Sequence, residues 1–192
     1  MRIIAGSLKG RRLAPVKGRI RPTAAKVREA VFSILGEAVL EARVLDLFAG
    51  TGALGIEALS RGAREAVFVE DHPAALRVLR RNLEDLGLAA QSLVLPLPVA
   101  GALKKLAARG ELFGLVFMDP PYGGEVAAAT LTGLAASAIL LPAAWVVTEH
   151  SRRETLPESC GKLRRRQLKR YGDTQVAFYL APANSEECPQ EG

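Results

Sequence analysis

The sequence predicts an α/β fold with a mostly parallel sheet, helices on both of its faces and an antiparallel hairpin near the C-terminus. From residue 43 onward, short apolar runs alternate with longer helical stretches, a rhythm typical of parallel strands joined by crossover helices. The last two extended runs, 162–170 and 174–181, are separated only by Tyr171-Gly172-Asp173. So short a connection cannot hold a crossover helix and predicts a hairpin turn.

The N-terminal segment predicts a short β-hairpin followed by a helix. Residues 3–13 place two extended runs on either side of the turn Gly-Ser-Leu-Lys-Gly. Arg21-Pro22-Thr23 then ends an extended segment, and Thr23 is a suitable N-cap for a helix. The apolar face of that helix is formed at helical spacing by Val27, Ala30, Val31, Ile34 and Leu35.

The alternating elements follow this helix in order. Apolar runs predict strands at 43–48, 65–70, 91–95, 112–118 and 143–149. Helical patterns predict helices at 53–61, 73–86, 98–109 and 125–140. A chain of 192 residues, 49% of them hydrophobic, suits one domain with a single substantial core. We therefore divide the chain into a basic hairpin extension (1–22), a main domain (23–182) and a tail (183–192) that we expect to be flexible.

Composition argues against several classes of protein. No apolar run approaches the ~18 residues of a membrane span, and the N-terminus lacks the apolar region of a secretory signal. The chain has two cysteines, Cys160 and Cys188, and two histidines, His72 and His150, too few and too scattered for a metal cluster or a disulfide framework. We expect a reduced, cytoplasmic, metal-free monomer.

Positive charge is concentrated at the N-terminus. Residues 1–28 contain no acidic side chain but hold the basic residues Arg2, Lys9, Arg11, Arg12, Lys17, Arg19, Arg21, Lys26 and Arg28. A second basic cluster consists of Lys162, Arg164, Arg165, Arg166, Lys169 and Arg170. Such clusters attract polyanions by releasing condensed counterions. The pattern favours a nucleic-acid partner over a solvated basic surface with no partner.

A Gly-rich loop follows the first predicted strand of the main domain. Gly50, Gly52 and Gly55 match the spacing of dinucleotide-binding loops, and Glu70 lies twenty residues beyond the first glycine. Asp46 argues for another ligand, because a carboxylate at the strand end would repel a pyrophosphate. S-adenosylmethionine carries a sulfonium, an ammonium and a ribose diol instead. Asp46 would favour the positive charges and Glu70 the diol.

Plainer interpretations of these acids stay open. Asp46 could cap the helix that follows, and Glu70 could be a solvated acid at a strand end. Asp71 could take the role assigned to Glu70. An acid after the third strand could bind the amine of an adenine ring, but residues 94–99 contain none. Adenine must then be held by backbone groups and apolar packing, unless that strand ends elsewhere.

The tetrapeptide Asp119-Pro120-Pro121-Tyr122 ends the apolar run 112–118. Ligands of open α/β sheets bind at the carboxyl ends of strands. Asp119 offers a carboxylate acceptor there, and the two prolines give a rigid stretch with carbonyl oxygens and no N–H donors. Tyr122 adds a flat face on which a base can stack. The motif predicts a site that holds a planar amine, and an ordinary Pro-rich turn is the plain alternative.

The loop and this tetrapeptide together resemble class I methyltransferases that act on an exocyclic amine. The whole chain is more narrowly similar to the RsmD family, small bacterial enzymes that methylate N2 of a guanine in 16S ribosomal RNA. The resemblance runs from residues 1–6 through Arg21-Pro22-Thr23, 28–32 and 53–63 to Tyr171-Gly172-Asp173-Thr174, and it leaves out the C-terminal end.

The resemblance implies a Rossmann-like class I methyltransferase fold with a seven-stranded sheet and an N-terminal β-hairpin extension. It also implies S-adenosyl-L-methionine as cofactor, with a guanine in a 16S rRNA hairpin loop near the decoding centre as substrate, presented in an assembled or assembling small ribosomal subunit. The expected catalytic residues are Asp119, Pro120, Pro121 and Tyr122. The expected cofactor-binding residues are Asp46, Phe48, Ala49, Gly50, Thr51, Gly52, Glu70 and Asp71. The expected RNA-binding residues are Arg2, Lys9, Arg11, Arg12, Arg21, Lys26 and Arg28.

Two other functions fit parts of the sequence. An adenine-N6 DNA methyltransferase would use the same tetrapeptide, but 192 residues leave no recognisable room for a target-recognition domain. A non-catalytic ribosome-assembly or RNA-binding factor would have lost Asp46, a loop glycine or Asp119, and all of them are present.

Overall fold

The structure, a computed structural model, describes residues 1–15, 25–121, 123 and 125–183. Its strands are β1 Arg43–Asp46, β2 Glu65–Val69, β3 Ser92–Leu95, β4 Phe113–Met118, β5 Leu140–Ser151, β6 Ser159–Cys160, β7 Leu163–Tyr171 and β8 Thr174–Leu180. Its α-helices are α1 Ala25–Leu35, α2 Ala53–Ser60, α3 Pro73–Asp85, α4 Val99–Ala108 and α5 Val126–Ala136. Two short 3₁₀ helices lie at Gly36–Val39 and Ala89–Gln91.

These strands form a single sheet in the order β3-β2-β1-β4-β5-β8-β7-β6. The pairs from β3 to β5 are parallel, and the pairs β5–β8, β8–β7 and β7–β6 are antiparallel. The predicted fold class, with its C-terminal antiparallel hairpin, is confirmed. The two-residue strand β6 was not predicted, and it adds a short edge strand to the seven that the resemblance implies.

The largest boundary difference lies between α5 and β5. The helix predicted at 125–140 ends at Ala136, where the backbone turns extended at Ser137 (ψ 138°), whose hydroxyl donates to the carbonyl oxygen of Leu134 at 2.6 Å. Shortly afterwards the carbonyl oxygen of Ile139 accepts the N–H of Phe113 at 2.8 Å, so the chain has already joined the sheet. The apolar run there suits either a helix or a strand, and only the pairing with β4 decides between them.

Each face of the sheet is covered by its own hydrophobic core. One core packs α1, α2 and α3 against side chains such as Val44, Phe68, Phe117 and Phe178. The other packs α4 and α5 against side chains such as Leu45, Val67, Val116 and Tyr179. Burial on both faces explains why these strands read as continuous apolar runs rather than alternating ones.

The predicted N-terminal hairpin is present and packs against the main domain. Arg2 and Arg12 form an antiparallel bridge, and Ile3 donates its N–H to the carbonyl oxygen of Arg11 at 3.0 Å. Ile3 is 2% exposed and belongs to the first core. Gly6, at φ 82°, lies so close to α2 that a Cβ there would be 1.7 Å from the carbonyl oxygen of Ser60. The predicted boundary at residue 22, the cap Thr23 and residues 184–192 lie outside the described residues.

Candidate active site

The strand order creates a switch point between β1 and β4. The chain continues from β1 to β2 on one side of this point and from β4 to β5 on the other. In open α/β sheets this is where ligands bind, beyond the carboxyl ends of the strands. Asp46 is in register with Phe68 on one side and Phe117 on the other. Glu70 and Asp119 each lie two residues beyond those partners. The sheet therefore brings the three predicted acids to one edge.

The Gly-rich loop makes a tight turn from β1 into α2. Gly50 and Gly52 adopt positive φ values of 55° and 84°, a region that favours glycine. A Cβ on Gly52 would lie 2.6 Å from Leu79 Cδ1, whereas the nearest atom to a Cβ on Gly50 would be 4.0 Å away. The loop is thus packed tightly against α3 on its inner side and open at Gly50.

Gly55 serves a different purpose from the other two glycines. A Cβ there would lie 2.3 Å from Phe68 Cε1, so the glycine allows α2 to approach β2 closely. Packing and turn formation therefore account for Gly52 and Gly55, and of the three glycines only Gly50 faces open space.

Asp46 is buried at the end of β1, 1% exposed. Its Oδ2 accepts the N–H of Gly55 at 3.1 Å in the first turn of α2, as the helix-capping interpretation predicts. Its Oδ1 is also buried and has no hydrogen-bond partner among the described residues. Burial raises the pKa of Asp46 to about 7, against the opposing effect of the Gly55 hydrogen bond. A nearby positive charge would stabilise the ionised form.

Glu70 fixes the loop from the adjacent strand. Its Oε2 accepts the N–H of Gly50 at 2.8 Å, and its Oε1 accepts the N–H groups of Asp71 at 3.1 Å and His72 at 2.8 Å. This carboxylate therefore joins the Gly-rich loop to the start of α3, a role that the sequence did not predict. Asp71 is exposed beside it.

No acid follows the third strand in the structure either. Strand β3 ends at Leu95, as predicted, and the chain continues through Pro96 and Leu97. Leu97 and Phe48 are half-buried and pack against the same hydrophobic core. Beyond the end of β3, the side chains that pack near Glu70 are therefore apolar.

The segment after β4 is held from the end of β5. Asp119 is half-buried, Pro120 is buried and Pro121 is exposed, whereas Tyr122 lies outside the described residues. Glu154 accepts the N–H of Gly123 at 3.0 Å through Oε1 and that of Ser151 at 3.4 Å through Oε2. Sequence reasoning missed Glu154, because nothing in the local pattern around it indicates that it anchors a loop thirty-one residues upstream.

The comparisons with known proteins bear on the family to which this chain belongs. A family model described as "Conserved hypothetical protein 95" matches residues 1–180. Ribosomal RNA small subunit methyltransferase D of Escherichia coli (strain K12) is 33% identical over 187 residues, which cover 97% of this chain and 92% of that protein. The chain belongs to the RsmD family. The resemblance read from the sequence is confirmed.

Two further comparisons support the assignment to the RsmD family. YlbH of Bacillus subtilis (strain 168), named as a candidate rRNA methyltransferase, is 41% identical over 180 residues, covering 93% of this chain and 98% of that protein. A solved structure of yhhF from Escherichia coli, described as a candidate methyltransferase, superposes with a TM-score of 0.85 at 33% identity. It covers 96% of this chain and 99% of that one. The RsmD-family chain thus has a Rossmann-like methyltransferase fold.

Most of the described basic residues of the N-terminal segment are exposed. Those residues are Arg2, Lys9, Arg11, Arg12 and Lys26. Arg11 donates to the carbonyl oxygen of Asp85 at the end of α3, and Arg2 donates to the carbonyl oxygen of Gly10 across the hairpin. Arg21 lies outside the described residues. The hairpin therefore presents a basic surface over α3 in this RsmD-family protein.

Arg28 does not fit the role predicted for it. It is 1% exposed, and its Nε lies 3.5 Å from Oε2 of the equally buried Glu57. Its Nη2 also donates to the carbonyl oxygen of Arg2. Because it is buried among these partners, Arg28 anchors the hairpin to the main domain, and its guanidinium is not exposed on the surface described here. Helical spacing alone does not distinguish a buried arginine from an exposed one.

Glu57, on α2, pairs with Arg28 and accepts hydrogen bonds from the backbone of the hairpin. Its carboxylate accepts the N–H groups of Ile4 at 2.8 Å and Ala5 at 3.0 Å, and it pairs with Arg61 at 2.9 Å. Burial lowers the pKa of Arg28, and the charge of Glu57 opposes that shift.

The second basic cluster is spread along strand β7. Lys162, Arg164, Arg166, Lys169 and Arg170 are exposed, and Arg165 is half-buried against Glu158. At ~3.3 Å per residue the cluster extends over tens of ångströms. Only its Arg170 end lies at the edge of the sheet that carries Asp119, because β7 runs toward that edge.

The described residues offer neither a membrane segment nor a metal site. None of their helices is long and apolar enough to cross a membrane. Nowhere in the same part of the chain do three or more His, Cys, Asp or Glu side chains gather as metal ligands would.

Proposed function

We propose that this protein transfers a methyl group from S-adenosylmethionine to the exocyclic N2 amine of a guanine in 16S ribosomal RNA. The single observation that carries the proposal is the convergence of Asp46, Glu70 and Asp119 at the β1–β4 switch point. Relatives named as small-subunit rRNA methyltransferases support the rRNA substrate. The tetrapeptide beginning at Asp119 supports an amine as the methyl acceptor.

The chemistry of the loop fits S-adenosylmethionine. Asp46 keeps one buried oxygen without a hydrogen-bond partner in the described part of the chain, and a cationic ligand would favour its ionised form. Gly50 leaves open space on the ligand side of the loop. Glu70 still has acceptor capacity beyond its three N–H partners, since each carboxylate oxygen has two lone pairs, and would take the ribose hydroxyls.

The adenine ring would be held without an acidic side chain. Phe48 and Leu97 are half-buried at the two strand ends that border Glu70. Their packing would supply an apolar slot, and main-chain groups would satisfy the amine. Ala49, Thr51, Gly52 and Asp71 complete the set of residues that we assign to the cofactor.

The acceptor amine would be oriented by the segment after β4. S-adenosylmethionine, when bound, would supply a sulfonium methyl group that an amine can attack in line, with S-adenosylhomocysteine as the leaving group. Asp119 and the carbonyl oxygen of Pro120 would accept the two N–H bonds of the amine and direct its lone pair. Orientation of this kind can lower a barrier by ~7–11 kcal/mol. Pro121 would keep the segment rigid, and Tyr122 would stack on the base, contributing ~1–3 kcal/mol.

Asp119 does not need to be a strong base in this reaction. The N2 lone pair is delocalised into the guanine ring, and the nitrogen becomes acidic only once the methyl group has been transferred. Asp119 can then accept the released proton without being a strong base. The anchoring of Gly123 by Glu154 at 3.0 Å would keep this segment in place during the reaction.

The exposed face of the N-terminal hairpin would bind the RNA backbone. Its positive side chains would contact phosphates, which position a nucleic acid without reading its sequence. A substrate in the assembling or assembled small subunit places the enzyme in the cytoplasm.

One experiment tests the proposal against its alternatives. The protein is incubated with labelled S-adenosylmethionine and small subunits, naked 16S rRNA or DNA, and the product is digested to nucleosides. We expect N2-methylguanosine from the rRNA samples. Label in N6-methyladenine from DNA would support the DNA enzyme, and an unlabelled product with retained RNA binding would support a non-catalytic factor.

A further inference from the structure

A basic turn lies beside the segment proposed to hold the target amine. It consists of residues 151–154, starting at the last residue of β5, and it is closed by a hydrogen bond from the N–H of Glu154 to the carbonyl oxygen of Ser151 at 3.0 Å. Glu154 also holds the N–H of Gly123 at 3.0 Å. Because Gly123 directly follows the tetrapeptide 119–122, the turn is fixed next to the proposed site of methyl transfer.

Two arginines on this turn are exposed. Neither the Arg152 nor the Arg153 guanidinium makes a hydrogen bond or ion pair with any described residue, although both belong to a well-anchored backbone. Arg152 donates its own N–H to the carbonyl oxygen of Asp173 at 2.8 Å, in the turn between β7 and β8. The arginines therefore sit on a rigid base with their charges available to a ligand.

A groove of about 250 Å³ runs between the two turns, lined by Ser151, Arg152, Arg153 and Asp173. This volume is below the ~300–1,000 Å³ typical of sites that enclose a whole small-molecule ligand. It suits one sugar-phosphate unit of a polymer that continues on both sides.

The charges around the groove leave a net positive potential. Arg152, Arg153 and, at the end of β7, Arg170 contribute positive charge, and Asp173 and Glu154 contribute negative charge. Glu154 is already engaged with two backbone N–H groups. A singly charged phosphodiester matches this balance, and guanidinium groups bind phosphate with paired hydrogen bonds.

We propose that Arg152 and Arg153 bind the backbone phosphate of a nucleotide flanking the target guanine. This inference rests on the proposed function and names a second RNA contact for it. The N-terminal hairpin contacts the C-terminal ends of α2 and α3. The 151–154 turn instead lies at the same edge of the sheet as Asp119, because β5 is parallel to β4.

The test compares two double variants that each lose two positive charges. R152A/R153A removes the proposed contact, and K105A/R109A removes exposed charges at the end of α4, near the opposite edge of the sheet. For each variant, RNA affinity is measured against salt concentration by fluorescence anisotropy with a 16S rRNA fragment. Michaelis constants are measured with naked rRNA and with small subunits. Cofactor affinity and thermal unfolding confirm that both variants fold.

We expect R152A/R153A to raise the KM for rRNA about ten-fold, the effect of losing a charge-assisted contact. The slope of log affinity against log salt should flatten by roughly 0.7 for each phosphate released. K105A/R109A should keep wild-type values. R152K/R153K should restore the salt slope but not the full affinity, because lysine retains the charge and loses the paired geometry.

Three other outcomes would contradict this inference or separate it from the proposed function. If R152A/R153A has the same KM and salt slope as K105A/R109A, the arginine contact does not exist. If it is impaired on small subunits but not on naked rRNA, the turn contacts a protein component and the RNA inference is wrong. If the wild-type protein binds rRNA but does not methylate it, the proposed function fails while the anisotropy measurements still decide the contact.

Discussion

Asn82 donates a hydrogen bond from Nδ2 to the main-chain carbonyl oxygen of Thr51 at 2.9 Å. The same side chain accepts the N–H of Ala14 at 2.8 Å through Oδ1. Asn82 is 1% exposed, on α3. Thr51 belongs to the Gly-rich loop, and Ala14 follows the second arm of the N-terminal hairpin. One buried amide therefore joins the segment proposed to bind RNA to the loop proposed to bind the cofactor.

Replacing Asn82 by Ala should destabilise the protein and weaken cofactor binding together. The N–H of Ala14 and the carbonyl oxygen of Thr51 would lose their partner, and each buried unsatisfied group costs ~1–3 kcal/mol. N82D should keep an acceptor for the N–H of Ala14. It loses the donor to Thr51 and the longer bond to the carbonyl oxygen of Ala14 at 3.4 Å. Urea unfolding and calorimetry with S-adenosylmethionine measure both effects. Wild-type cofactor affinity in N82D would show that the loop does not depend on this bond.

Asp119→Ala should leave S-adenosylmethionine binding nearly intact and reduce methylation at least ~100-fold, the usual scale for a lost transition-state interaction. Asp119 lies beyond the end of β4 on the proposed amine side, away from the Gly-rich loop. Single-turnover methylation of rRNA and calorimetry with the cofactor measure the two quantities separately. Near-normal turnover in the variant would remove Asp119 from the chemistry.

Asp46 should make cofactor binding depend on pH. Its pKa is raised from 3.8 to about 7 in the folded protein, so the folded state holds the proton more tightly than the unfolded state. The contribution of Asp46 to stability should therefore fall as pH rises from about 4 to about 7. Affinity for the cationic cofactor should instead rise over pH 6–8, because ligand binding favours the ionised carboxylate.

The control for this pH dependence is Asp46→Asn, which cannot ionise. Calorimetry between pH 6 and 8 should give a flatter affinity profile for this variant than for the wild type. S-adenosylhomocysteine, which lacks the sulfonium charge, should show a shallower profile with the wild-type protein. Identical profiles for wild type and D46N would exclude Asp46 as the titrating group.

Arg28→Ala should lower stability by ~3 kcal/mol, because it removes the buried one of the two arginines that pair with buried Glu57 and leaves the partly exposed Arg61. Arg28→Met, which fills similar space, should be less damaging to packing but should still remove the buried cationic partner of Glu57. Denaturant unfolding measures both variants. A stable R28A protein with weakened RNA binding would mean that Arg28 reaches the substrate after all.

Variants on the exposed face of the hairpin should weaken RNA binding and leave stability nearly unchanged, unlike the variants of Arg28. Replacing Lys9, Arg11 and Arg12 together by Ala should cost little stability, since all three are exposed. It should flatten the salt dependence of RNA binding by roughly two units if each reaches a phosphate, at ~0.7 per contact. Binding to small subunits at low and high salt measures the effect. An unchanged slope would assign RNA docking to another surface, first the 151–154 turn.

The acids of the site were predictable because their signals are local. Asp46, Glu70 and Asp119 each follow an apolar run, and the carboxyl ends of parallel strands must share one edge of the sheet. What these residues contact was not predictable. Glu70 accepts the N–H groups of Gly50, Asp71 and His72. The spacing of residues in the sequence does not predict these hydrogen bonds.

The sequence by itself determined the order and type of the main helices and strands, though not β6 or the 3₁₀ helices. It also determined the fold class, the family and the edge of the sheet that carries the site. Periodicity, glycines and prolines act over a few residues, so they can be read without knowing the packing. Only the tertiary structure decided that Arg28 is buried on Glu57, that Glu154 anchors Gly123 and that Asn82 joins Ala14 to Thr51. Each of these contacts joins residues that are distant in the chain. They meet only because the helices and loops pack together on the sheet.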